Sequence, residues 1–135
     1  MTTTDPEPLE AVARRHGVRL MLRFGSAASG LVHAHSDLDI AVWLERPSLS
    51  FRKRAELAHD LQVLFPGQAV DVALINRADP LFLKQITDGC RLLYGAPQRL
   101  HELKLYAFKR YQDHRRYLAL ERDYVTRTLR ALADR

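Results

Sequence analysis

The stretch Asp37-Leu-Asp-Ile-Ala-Val-Trp-Leu44 constrains the fold of this chain more than any other. With side chains alternating between faces, Leu38, Ile40, Val42 and Leu44 share one face, and Asp37, Asp39, Ala41 and Trp43 share the other. The interior of the segment is apolar on both faces. Such a strand needs cover on both sides, which predicts the centre of a sheet flanked by helices, an α/β (α+β) architecture.

The rest of the chain alternates helix and strand signals. Asp5-Pro6 reads as an N-cap and first helical position, Leu9, Val12 and Ala13 line one face, and Gly17 suits a helix stop. These predict a helix over residues 6–16. Leu20 to Phe24 reads as a short strand ending at Gly25-Ser26, and Ser26 to Leu31 as a short helix. Pro47 breaks the central pattern. Residues 50–65 read as a helix with Leu57, Leu61 and Leu64 inward and Gly67 at its stop. Ala69 to Ile75 reads as a strand, Asp79-Pro80 as the start of a helix ending near Asp88-Gly89, and Arg91 to Tyr94 as an edge strand. From Pro97 to about Leu132 neither Gly nor Pro interrupts a helical stretch. At ~1.5 Å per residue it spans on the order of 50 Å, long enough to project beyond the core or pack on a partner.

Composition narrows the function classes. A chain of 135 residues suits one domain. No apolar run approaches the ~20 residues of a membrane-spanning helix. The first residues lack the basic and apolar regions of a secretory signal. Cys90 is the only cysteine, so no disulfide forms within the chain. A cytoplasmic protein is the simple expectation, with Cys90 as a small buried hydrophobe. Charge is uneven. Residues 1–95 carry eleven Lys/Arg and eleven Asp/Glu, whereas residues 96–135 carry ten and five. The basic helix is either a solvated face or a surface for an acidic partner. The expected organisation is residues 1–95 as a core and residues 96–135 as a long basic helix packing on that core, on a partner, or on both, within one domain.

The chemistry concentrates in Phe24-Gly25-Ser26-Ala27-Ala28-Ser29-Gly30 and Ser36-Asp37-Leu38-Asp39. Asp37 and Asp39 leave the same face of a strand with Cα atoms roughly 7 Å apart, at ~3.3 Å per residue. Like charges at that separation repel, and a divalent cation between them removes the conflict. Hard oxygen ligands with open positions suit Mg²⁺ completed by phosphate oxygens and water. Gly25 permits a tight turn with close backbone approach, and the N–H groups opening the next helix favour anions. The Ser26 hydroxyl adds a donor, and Gly30 lets the chain turn back. Asp71 lies second in the apolar strand Val70-Asp-Val-Ala-Leu-Ile75, where a lone carboxylate is costly. On a neighbouring strand it joins the metal site or acts as a general base. Otherwise it caps a loop.

Gly25-Ser26, ten intervening residues, Asp37-Leu-Asp39 and a later strand Asp together resemble the nucleotidyltransferase superfamily related to DNA polymerase β, over about Leu20 to Tyr94. The resemblance implies the nucleotidyltransferase fold, a small mixed sheet flanked by helices, here with a long C-terminal helix. It places Gly25 and Ser26 on the β- and γ-phosphates, two Mg²⁺ ions on Asp37 and Asp39, and Asp71 as the third carboxylate. Within the superfamily the chain is similar to the minimal nucleotidyltransferase (MNT) antitoxins paired with HEPN-domain toxins. That likeness implies AMP transfer from ATP to a tyrosine hydroxyl of a HEPN ribonuclease. Many relatives carry Arg just after Gly-Ser. Here Ala27 stands there and a triphosphate contact is missing, while Arg23 alternates with Phe24 and faces elsewhere.

Two other readings stay open: neutralisation of a toxin mainly by binding it, and nucleotidyl transfer to RNA or a small-molecule hydroxyl. His33 and His35 read as an exposed loop, since zinc needs further ligands. Trp43 reads as core packing rather than an adenine platform. Tyr106, Tyr111, Tyr117 and Tyr124 lie among Lys and Arg on the last helix. That mixture suits a protein interface, with nucleic acid less favoured.

Overall fold

The computed structural model describes residues 6–25, 37–46 and 49–134. The elements run α1 (Pro6–His16), β1 (Val18–Phe24), β2 (Leu38–Leu44), α2 (Phe51–Leu64), β3 (Val70–Leu74), a 3₁₀ turn (Ile75–Arg77), α3 (Pro80–Thr87), β4 (Arg91–Tyr94) and α4 (Pro97–Ala133). The expected helix over Ser26–Leu31, the His33/His35 loop and Pro47 fall outside the described residues.

The strands form one mixed sheet in the order β3-β2-β1-β4. β1 pairs antiparallel with β2 and with β4, and β2 pairs parallel with β3. β2 is therefore interior, as its two apolar faces require. Ile40, Ala41 and Val42 are inaccessible to solvent. On one face, Leu38, Ile40, Val42, Leu44, Val72 and Leu74 meet Leu9 and Ala13 of α1 and Leu57 and Leu61 of α2. On the other, Leu20, Leu22, Phe24 and Ala41 meet Leu83 and Ile86 of α3 and Leu103 and Ala107 of α4. Leu64 of α2 is only partly buried against the first cluster.

Local signals explain the element ends. Gly17 adopts φ 64° between α1 and β1, a conformation that costs a residue with a Cβ about 1–2 kcal/mol. β1 begins two residues earlier than its sequence pattern predicts, because an irregularity between Val18 and Leu20 lets Val18 pair with Leu44. Ser50 accepts from the Lys53 N–H at 3.2 Å, and Asp79 accepts from the Phe82 N–H at 2.8 Å. Each satisfies a helix-start donor, typically worth about 1 kcal/mol. β3 ends at Leu74, before Ile75 enters the 3₁₀ turn. There the Asn76 amide accepts from the Leu44 N–H at 2.8 Å and donates to the Leu44 carbonyl at 3.0 Å. A side chain thus continues the β2–β3 ladder where the strand stops.

Gln62 anchors the start of β3. It donates to the carbonyls of Phe65 (3.0 Å) and Gln68 (2.6 Å) and accepts from the Val70 N–H (2.9 Å). The Leu38 N–H donates to the Ala69 carbonyl at 2.8 Å. These bonds set the register in which β3 lies beside β2. α4 packs through Leu103 and Ala107, while residues 115–134 are exposed throughout.

Candidate active site

The β2–β3 register aligns Asp39 with Asp71, and the β1–β2 register aligns Phe24 with Asp39. A transverse row therefore crosses three strands: Phe24, Asp39, Asp71. Alternation along β2 and β3 puts both carboxylates on the α3/α4 face, since Leu38, Ile40, Val70 and Val72 pack on the opposite face. Asp37 immediately precedes β2 and is exposed, Asp71 is exposed, and Asp39 is half-buried.

Burial raises the Asp39 carboxyl above the ordinary carboxylate value, and the charges of Asp71 and Asp37 push it further the same way. The two neighbours destabilise the ionised form of Asp39. Gly25 closes the other side. It adopts φ 77°, and a Cβ there would stand 2.5 Å from Asp39 Oδ2. Only a glycine lets the carboxylate sit against the turn that ends β1.

The row opens into a cavity of about 440 Å³ lined by Phe24, Asp39, Asp71, Arg54, Arg77 and Phe82, among others. Phe24 and Phe82 meet edge to face, with centroids 6.0 Å apart. The carboxylates reach solvent through this opening. Among the described residues, no three His, Cys, Asp or Glu side chains form a ready-made metal cage. The donor set nonetheless fits a hard divalent cation: oxygen ligands only, mutual repulsion that a cation would relieve, and an open side for phosphate or water.

The family model for polymerase beta, nucleotidyltransferase matches residues 7–99. The chain belongs to that family. The match covers the whole sheet and stops three residues into α4. No curated protein matches the chain. Among solved structures, one is a toxin–antitoxin with AMP-PNP, at TM-score 0.71 and 24% identity, covering 93% of this chain and 98% of that one. Another is an MntA–HpeT toxin–antitoxin mutant, at TM-score 0.70 and 21% identity, covering 96% and 98%. A third is a tri-AMPylated Shewanella oneidensis HEPN toxin in complex with MNT antitoxin, at TM-score 0.64 and 22% identity, covering 91% and 93%. These likenesses show a shared nucleotidyltransferase fold that includes the long last helix.

Of the residues singled out in the sequence, Gly25, Asp37, Asp39 and Asp71 come together at one end of this nucleotidyltransferase sheet. Ser26 lies outside the described residues. Trp43 is half-buried against the second core cluster, with the Arg19 guanidinium 5.8 Å from its ring. It lines a separate cavity of about 310 Å³ with Ile75, Leu83 and Tyr106. Cys90 is half-buried, packs against the same cluster, and burial raises its thiol above the usual range. Arg54, Arg77 and Phe82 are the residues that sequence reasoning missed. Arg54 sits in the run Arg52-Lys53-Arg54, which reads as an ordinary solvated helix face. Its place at the cavity follows only from α2 crossing beside β3.

Proposed function

We propose that the protein is an antitoxin nucleotidyltransferase that transfers AMP from Mg-ATP to a tyrosine hydroxyl of a HEPN-domain ribonuclease toxin. The observation that carries this reading is the pairing of Asp39 with Asp71 across adjacent parallel strands, with Gly25 packed against Asp39. Family membership supports nucleotidyl transfer. The AMP-PNP and tri-AMPylated toxin complexes that share the fold support ATP as donor and a protein as acceptor. A cytoplasmic setting fits both.

Asp37, Asp39 and Asp71 would hold two Mg²⁺ ions, which when bound would neutralise the carboxylates and stabilise charge on the transferring phosphoryl group. Gly25, with no Cβ to crowd Asp39, would let a triphosphate approach the end of β1 closely, and the family resemblance assigns the β- and γ-phosphates to Gly25 and Ser26. Asp71 accepts the proton of the acceptor hydroxyl. The tyrosine oxygen bonds to the α-phosphorus, the bond from that phosphorus to the bridging oxygen breaks, and pyrophosphate leaves. Most of the rate gain is positioning and charge stabilisation. Residues 1–95 serve as the catalytic core in this reading, and the basic helix of residues 96–135 engages the toxin.

The test offers labelled ATP to the HEPN partner, to RNA and to an aminoglycoside. Label should appear on a tyrosine of the partner and vanish with Asp39→Ala. Undiminished transfer by that variant refutes the assignment.

Neutralisation mainly by binding is a second reading, favoured by α4. Leu118, Val125, Leu129 and Leu132 fall seven, four and three residues apart and are 43–61% exposed. That spacing forms one stripe on a helix. Under this reading carboxylate variants still protect cells, whereas charge reversal at Arg115 and Arg116 does not.

A further inference from the structure

We infer that Arg54 and Arg77 form an acceptor-side subsite that recognises acidic residues flanking the target hydroxyl of a protein acceptor. The inference rests on the proposed transfer to a protein and specifies which proteins it favours. Its basis is the order of residues across the sheet. Gly25 and Phe24 lie at the β1 side of Asp39, and Asp71 lies at the β3 side. With strands about 4.8 Å apart, the row spans about 10 Å. A phosphate chain gripped at the Gly25 turn therefore occupies the β1 end. The acceptor is left the end marked by Asp71, where β3 is the outermost strand among the described residues.

Two guanidinium groups stand at that edge. Arg54 reaches from α2 around the free side of β3, its Nη2 3.5 Å from the Val72 carbonyl oxygen. Arg77 ends the 3₁₀ turn that follows β3. Both line the same cavity as Asp39 and Asp71, and both are exposed. Among the described residues neither makes an ion pair, although four other arginines do. Cations beside a carboxylate row, yet not neutralised by it, are available to an incoming anion.

The chemistry favours a polypeptide. Phe82 and Phe24 give the cavity an apolar wall, set edge to face, against which a phenol ring can pack. A nucleic acid strand would need a run of cations along its backbone, and among the described residues this rim presents two. Acidic residues beside the tyrosine would otherwise be repelled by the negative triphosphate and by carboxylate charge that bound cations leave uncompensated. Arg54 and Arg77 offset that repulsion at the β3 edge only, which also sets the direction of approach. Rim charges of this kind act mainly on encounter and on salt dependence.

The test compares two tyrosine peptides of equal length, one flanked by Asp and Glu, the other by Ser and Gly, with Mg-ATP and the full chain. The wild type should show a KM for the acidic peptide about tenfold lower than for the neutral one, a preference that fades at high salt. In Arg77→Glu the preference should vanish or reverse, with the KM for ATP unmoved, and Arg77→Lys should restore most of it. Arg54→Glu should act likewise. Because Arg54 also tethers the β3 edge, its melting temperature is followed in parallel, and Arg77→Glu carries the decision. Equal KM values for the two wild-type peptides, or an Arg77→Glu effect on the KM for ATP, would overturn the inference and leave transfer to protein standing. If the wild type labels RNA and no protein, the proposed function falls and the subsite with it.

Discussion

The two faces of the sheet are built from the same strands and serve opposite ends. On the α1/α2 face, β2 and β3 contribute Leu38, Ile40, Val42, Leu44, Val72 and Leu74, each at most 9% exposed. On the α3/α4 face the same two strands contribute Asp39 and Asp71 first and Ala41 and Ala73 next. One residue of offset separates a sealed apolar contact from a charged, open row. At this end of the sheet, side-chain alternation separates buried apolar residues from exposed or half-buried carboxylates within single strands. The contrast is confined to the Asp39–Asp71 end of the sheet, since one step further along Ala41 is sealed in the second core cluster.

Substitutions at adjacent positions can break that division. Asp39→Asn should reduce nucleotidyl transfer by at least about 10²-fold, measured as label on the acceptor. Its thermal stability should hold or rise, because repulsion from Asp71 and Asp37 is relieved. A large fall in melting temperature would show that the charged face is structural after all. Ile40→Ala, one residue along, should lose about 2–5 kcal/mol in denaturant unfolding through the cavity it leaves. Transfer per folded molecule should persist. Loss of activity in fully folded protein would mean that the two faces are coupled.

Gly25→Ala should act on both properties at once. The positive φ costs the new side chain about 1–2 kcal/mol, and the new Cβ meets Asp39 Oδ2. The expected result is a modest drop in melting temperature with a disproportionate loss of transfer. Preserved activity would show that Asp39 can give way without consequence.

The smallest effect belongs to the sealed face. His16 Nε2 and Asp60 Oδ2 are 2.7 Å apart, joining α1 to α2, with Arg15 also on Asp60 at 3.2 Å. The hydrogen bond to His16 chiefly holds the Asp60 carboxyl below its ordinary value of 3.8. A carboxyl lowered in the folded state stabilises above its unfolded value and loses that contribution as pH falls through the folded one. Urea unfolding should therefore show stability declining below about pH 4, with a shallower decline in Asp60→Asn. An identical slope in that variant would remove the pair from the account.

Much of the fold was legible because its signals are local. Asp79 before Pro80 and Ser50 before α2 each start a helix, and Gly17 ends α1, by chemistry within a few residues. Apolar alternation in β2 required cover on both faces, and the structure supplies it. Less legible was the start of β1, displaced by an irregular pairing with Leu44. Leu64, on the inward face by spacing, stays only partly buried near the end of α2.

By itself, the amino-acid order determined which elements form, which faces they bury and which residue types could carry phosphate-transfer chemistry, since periodicity and capping act over a few residues. Tertiary structure alone decided that Asp71 stands opposite Asp39, because strand order and register depend on contacts such as Gln62 with Val70 and Asn76 with Leu44. It alone brought Arg54 and Arg77 to the same edge, twenty-three positions apart in the chain. No local rule encodes that meeting, because it arises from a helix crossing beside a strand.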